Sequence, residues 1–185
     1  DVNASAADVY TFLTDLERLP TLSPENERCE FLDDAAAIAV GTRFRGHNRA
    51  KDYTWHADCE VTVADPGRGF AYEVPPAFEH ATTWSYTIEP TGPSSCRVTE
   101  SFNAPMLALP DVYPGKIEGR RDNLERGCHI TMQNLQSAFA DWHRAWARHV
   151  PGRLTRRQDE ATQTEYSVHQ RTQQHRGDGR IDLRI

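Results

Sequence analysis

A change of hydrophobic period along the chain constrains its fold more than any other feature. From Trp55 to Val63 apolar and polar residues alternate: Trp55, Ala57, Cys59, Val61 and Val63 fall on one side, His56, Asp58, Glu60 and Thr62 on the other. A period of two predicts a half-buried antiparallel strand with a wet outer face. The same alternation recurs around Cys29–Phe31, Phe44–Asn48, Phe70–Val74, Trp84–Ile88 and Cys96–Phe102. The period then changes. Leu124, Cys128, Thr131, Leu135, Phe139 and Trp142 stand three or four residues apart, one apolar stripe on a helix from about Ile117 to Arg148. Six strands with one apolar face must cover that face, and this helix is the only sizeable cover in the sequence. The expected architecture is α+β: a curved antiparallel meander wrapped around a long C-terminal helix, with an apolar cavity between them.

The remaining segments punctuate this plan. Ser5 reads as an N-cap with Asp8 in the first turn, opening a short helix over residues 6–15, and Pro20 and Pro24 stop the run that follows. Asp65-Pro66-Gly67 and Pro90-Thr91-Gly92-Pro93 are turns, and Pro75-Pro76 ends a strand. Residues 103–116, with Pro105, Pro110, Pro114 and Gly115, read as a loop. Gly119 and Gly127 weaken the first part of the long helix. Residues 1–149 are thus read as one domain and residues 150–185 as a polar, flexible tail, because the latter hold only eight apolar residues in 36.

Charge narrows the function. The net charge is −6, yet the tail carries seven arginines against five acids, so the acid excess lies in residues 1–149. An acidic body does not suit a phosphate backbone, and nucleic acid is not an expected partner. No run of 18 apolar residues supports integral membrane association, and no signal-peptide pattern stands out. Cys29, Cys59, Cys96 and Cys128 lie about 30 residues apart without a CxxC or CxH pair, which offers no metal site. They read as reduced thiols of a cytoplasmic protein. No redox-cofactor motif or Gly-rich phosphate loop is present, and no cofactor is expected.

At this point the chain resembles the START-like helix-grip (SRPBCC) superfamily, in particular its polyketide cyclase/dehydrase and lipid-transport branch. The resemblance is carried by Val9-Tyr10-Thr11-Phe12-Leu13-Thr14-Asp15 with Leu19-Pro20 and Ser23-Pro24, by Gly41-Thr42-Arg43-Phe44-Arg45-Gly46-His47-Asn48, by Trp55, and by Asp65-Pro66-Gly67-Arg68. Trp84-Ser85-Tyr86 and Val98-Thr99-Glu100 complete it, so that it covers about residues 1–148. It implies a helix-grip fold that encloses a small hydrophobic or aromatic ligand, and says less about activity, because one fold hosts many functions. Two departures follow. The family begins with a strand beside the last one, of which at most Asp1–Val2 stand here, so Val98–Phe102 would form a bare edge. The tail has no counterpart in the pattern.

Among candidate site residues Glu100 is the sharpest. Alternation puts it on the face of Val98 and Phe102, where desolvation raises a carboxyl's pKa and fits it for general acid or base work. The alternative is a structural carboxylate paired with Arg43, Arg49 or Arg126. Asn48 offers an amide to a ligand carbonyl, or else satisfies a turn. Trp55, Tyr72, Trp84 and Tyr86 are expected to line a flat apolar pocket suited to rings, with the two tyrosine hydroxyls orienting the ligand. Thr131 either offers a hydroxyl to the cavity or bonds its own helix backbone. His80 and His129 are weaker candidates near the cavity, and His47 and His56 belong to the outer face. Three functions remain open: cyclisation or dehydration of a polyketide-like molecule, non-catalytic carriage or sensing of a lipid, isoprenoid or quinone, and protein interaction.

Overall fold

A computed structural model describes residues 1–75, 81–104, 113–149 and 180–182, with side chains described up to residue 140. Seven antiparallel strands form a single sheet in sequence order: β1 (Asn26–Phe31), β2 (Arg43–Ala50), β3 (Tyr53–Asp65), β4 (Gly69–Val74), β5 (Thr82–Gly92), β6 (Ser95–Asn103) and β7 (Arg180–Asp182). Among the described residues two α-helices accompany them, α1 (Ala6–Leu13) before the sheet and α2 (Lys116–His149) after β6, with a short 3-10 helix over Leu19–Thr21 between α1 and β1. The six-stranded meander and long helix are therefore those expected, and the fold is α+β of the helix-grip type.

Burial follows the alternation. Along β6, Cys96, Val98, Glu100 and Phe102 are all buried, while the residues between them are exposed or half-buried. Helix α2 buries Leu124, Cys128, Thr131, Leu135 and Phe139 of the expected stripe together with Arg120 and Met132, while the Trp142 side chain lies outside the described residues. Helix α1 is capped by Ser5, whose hydroxyl accepts from the Asp8 amide, and it places Val9 and Leu13 at 0% exposure. It ends two residues before the expected Asp15, since the Asp15 amide no longer reaches back four residues but bonds the Phe12 carbonyl three residues before it. Phe12 meets Phe139 of α2 at 5.5 Å between ring centroids, joining the two helices over the core. Fully burying an aliphatic or aromatic side chain of this size contributes about 1.5–3 kcal/mol.

Two features depart from the sequence reading. Val63 does not share the inner face of Trp55, Ala57, Cys59 and Val61. The β3–β4 register shifts between Val61 and Val63, and Val63 is 42% exposed. A bulge adds one residue to one strand and so inverts the alternation beyond it. The second departure concerns the edge of β6. Val2 exchanges two backbone hydrogen bonds with Cys96, of 2.8 and 3.0 Å, and β7 pairs with Ser101, Phe102 and Asn103. Both ends of that edge are thereby covered.

Two glycines permit close approaches that matter below. A Cβ on Gly46 would stand 2.8 Å from the Asn26 amide nitrogen. A Cβ on Gly119 would stand 1.8 Å from the Pro114 carbonyl oxygen, so the residue that weakens α2 intrinsically is the one that lets the chain before the helix pack against its first turns.

Candidate functional site

Three strands bring the first group together. Tyr86 on β5 pairs with Glu100 on β6 and with Phe70 on β4, which sets all three side chains in one row across the inner face. Glu100 is 4% exposed, and its Oε1 accepts a hydrogen bond from the Tyr86 hydroxyl at 2.9 Å. None of Arg43, Arg49 or Arg126 pairs with it; Arg43 and Arg49 engage Asp33 and Glu27 instead. Desolvation pushes the Glu100 carboxyl up to about 7, against which the Tyr86 hydrogen bond and the Cys128 thiol pull it down. The thiol of Cys128, from the facing helix, is near enough to act on that charge, yet Oε2 has no hydrogen-bond partner of acceptable geometry and is shielded from water. Burial and the neighbouring carboxyl in turn raise Tyr86 and Cys128, so both stay protonated at neutral pH. The outcome is a buried acid that changes state near neutrality beside two groups that do not.

The next row along the sheet is aromatic. Phe102, Trp84, Tyr72 and Val61 follow one another across β6, β5, β4 and β3. Trp84 stacks on Phe102 at 5.1 Å, and Tyr72 makes edge and tilted contacts with Phe44 and Phe70 at 5.1 and 5.5 Å. Tyr86 stacks on Phe70 at 6.2 Å. The Tyr72 hydroxyl makes no hydrogen bond among the described residues, and burial among Cys59, Cys29 and Glu100 raises its pKa. Tyr72 and Tyr86 thus differ: Tyr86 is committed to Glu100, whereas the Tyr72 hydroxyl has no such partner among the described residues.

Asn48 and Trp55 lie elsewhere, and Thr131 stands one turn beyond Cys128 on α2. Asn48 accepts from the Asn26 amide at 2.9 Å, across the face of Gly46, and donates to the Gly46 carbonyl at 3.2 Å. Thr131 is buried but donates to the Gly127 carbonyl at 3.0 Å, back-bonding its own helix. His47 sits on the outer face beside Glu30 at 2.8 Å, and His56 and His129 are exposed. His80 lies outside the described residues.

Trp55 belongs to a second cluster that the sequence reading missed. Arg120 of α2 is 6% exposed and forks onto Glu25, with Nη1 at 2.5 Å from Oε1 and Nη2 at 3.0 Å from Oε2. Nη1 also donates to the Tyr113 hydroxyl at 2.9 Å and to Asn123 Oδ1 at 2.7 Å, and Tyr113 donates to Glu25 at 2.7 Å. The guanidinium carbon lies 4.9 Å from the Tyr113 ring centroid and 6.0 Å from that of Trp55. A signal was available: Arg120 precedes Leu124 by four residues and so extends the apolar stripe with a charge. Among the described residues no group of three His, Cys, Asp or Glu is arranged to hold a metal ion, and the four cysteines are free thiols. No described helix is long and apolar enough to cross a membrane.

Residues 1–139 match the family described as polyketide cyclase / dehydrase and lipid transport. The chain belongs to that family. Its fold is shared with solved structures at low identity. The di-domain ARO/CYC protein StfQ from the steffimycin biosynthetic pathway is 19% identical with a TM-score of 0.56, over 78% of this chain and 49% of that one. This chain therefore spans about half of StfQ. Protein NE0264 from Nitrosomonas europaea is 14% identical, with a TM-score of 0.55 over 78% and 92% of the two chains. Protein MLL2253 from Mesorhizobium loti is 18% identical, with a TM-score of 0.51 over 74% and 90%. No curated protein matches the chain.

Proposed function

We propose that this polyketide cyclase-like protein binds an apolar, ring-bearing molecule between the sheet and α2 and moves a proton on it through Glu100. The observation that carries this reading is the Glu100–Tyr86 pair: a 4%-exposed carboxyl with a pKa of about 7, one oxygen engaged and the other unpaired. A general base works best when its pKa lies near the operating pH. The row of Trp84, Phe102 and Tyr72 beside it offers flat apolar surface to a ring. Ionised Glu100 would take a proton from carbon next to a ketone, and the Tyr72 hydroxyl would hydrogen-bond the oxygen on which charge develops. Cyclisation and dehydration both begin from such an enolate.

The test is deuterium uptake at the methyl group of 2-acetylnaphthalene in heavy water. The wild-type protein should accelerate exchange, with the rate rising as pH rises through about 7. Glu100→Gln should lower the protein-dependent rate on the order of 100-fold while the ketone still binds. Exchange that is equal in the two proteins would remove the catalytic half of the proposal. The second reading is a non-catalytic carrier, and the engaged state of Asn48 and Thr131 favours it: both polar groups are already satisfied within the protein. A carrier would lose affinity with Trp84→Ala and be indifferent to Glu100→Gln.

A further inference from the structure

Arg120 is only half used by the protein. A guanidinium is planar and offers five N–H donors along its edges. Its end-on edge, Nη1 with Nη2, is filled by Glu25, and the outer hydrogen of Nη1 is drawn to Tyr113 and Asn123. What remains is the side-on edge, made of Nε and the second hydrogen of Nη2. Nε is shielded from water and makes no hydrogen bond. A side chain with 7% exposure whose Nη atoms make four bonds while its buried Nε makes none is a preformed fork with one edge unfilled. The Tyr113 and Trp55 ring centroids stand 4.9 and 6.0 Å from the guanidinium carbon, so aromatic surface lies within reach of a planar group bound to this fork.

Placement along the helix connects this fork to the site above. Arg120, Leu124 and Cys128 follow at steps of four on the buried stripe of α2, and Cys128 is the helix residue that faces Glu100. Eight residues of helix put Arg120 about 12 Å from Cys128 along the axis. The two buried orphan atoms at these stations are complementary: Nε of Arg120 lacks an acceptor and Oε2 of Glu100 lacks a donor.

We propose that the open edge of Arg120 binds the carboxylate of an elongated aromatic acid whose far end reaches the Glu100–Tyr86 pair. A carboxylate matches the fork because its two oxygens meet two parallel N–H bonds, whereas an ester or thioester presents one neutral carbonyl oxygen. Glu25 already balances the guanidinium, so the ligand's charge is held by hydrogen bonds and by the donor edge rather than by an excess cation. This specificity rests on the ligand-binding reading above.

The experiment titrates the full chain with anthracene-2-carboxylate and with its methyl ester, following tryptophan quenching and heat of binding. The acid should bind the wild-type protein at least tenfold more tightly than the ester. Arg120→Lys, which keeps the charge and loses the fork, should remove that preference while ester binding persists. Val63→Thr, at the exposed bulge of β3, should leave the preference in place. If acid and ester bind the wild-type protein equally, the Arg120 assignment is overturned and the apolar site stands. If neither binds, both are overturned. Where the lysine variant folds poorly, Arg120→Gln carries the same comparison: the acid preference should vanish, and its survival overturns the assignment. If the preference survives Arg120→Lys in a protein with native circular dichroism, the fork is not its source.

Discussion

A carboxyl that is 4% exposed, with one oxygen bonded to Tyr86 and the other bare, ionises late. Because Glu100 has a folded pKa of about 7 and an ordinary value of 4.5, the folded state holds a proton that the unfolded state releases across that window. Its contribution to stability is therefore complete below about 4.5 and is lost as pH rises through about 7. The loss is on the order of 3 kcal/mol. Thermal melts should show wild-type stability falling relative to Glu100→Gln between about pH 5 and pH 8, with the curves converging at the acid end; parallel curves would mean that Glu100 titrates normally. Tyr86→Phe removes the bond that favours ionisation, so it should move the Glu100 titration to higher pH and cost about 1–2 kcal/mol, readable by denaturant melts and carboxyl NMR. At this scale the sequence was partly legible. Alternation alone places Glu100 inward, because Val98 and Phe102 flank it at steps of two. Nothing in the sequence names Tyr86 as its partner, since that depends on strand register. The fork on Arg120 escaped notice for a similar reason: Glu25 lies 95 positions away.

Elements here are set by period and broken by local geometry. The six meander strands and α2 follow from alternation and stripe, and helix α1 from Ser5 and Asp8. Val63 could not be placed from sequence, because a bulge adds a residue without any required side-chain type. Substituting Val63→Thr should leave stability within about 0.5 kcal/mol, as expected of a surface site, whereas Val61→Thr puts a hydroxyl into a 1%-exposed position and should cost on the order of 1–3 kcal/mol. Chemical denaturation of the two variants separates the bulged register from an unbroken one. Gly119 reads as a helix-weakening residue by propensity, which predicts that Gly119→Ala stabilises. The structure predicts the reverse, since the added methyl meets the Pro114 carbonyl at 1.8 Å. Gly119→Ala should lower the melting temperature and loosen Tyr113 from Arg120, visible as a change in Trp55 fluorescence. A gain in stability would mean that the chain before α2 does not pack as described.

The whole molecule combines a stable scaffold with a polar interior that is incompletely satisfied. Val9, Leu13, Phe70, Cys96 and Leu135 have no exposure, and they tie α1, the sheet and α2 into one core. Leu135→Ala should cost about 2–5 kcal/mol in denaturant melts and affect ligand binding only through stability. By contrast Glu100 and Arg120 each leave a buried polar atom unpaired, which is costly to a protein with no ligand and useful to one that has it. The overall architecture was readable because sheet and helix periods repeat over many residues. The site was less so, because it is assembled from β3, β4, β5, β6, α2 and Glu25 just before β1, which are distant in sequence. Native mass spectrometry of the full chain, purified from its own host without detergent, tests the central claim most directly. The account predicts a bound mass of a few hundred daltons that denaturation releases. A bare protein that also takes up no polyketide, fatty acid, quinone or aromatic acid would contradict it and leave protein interaction as the function of this fold.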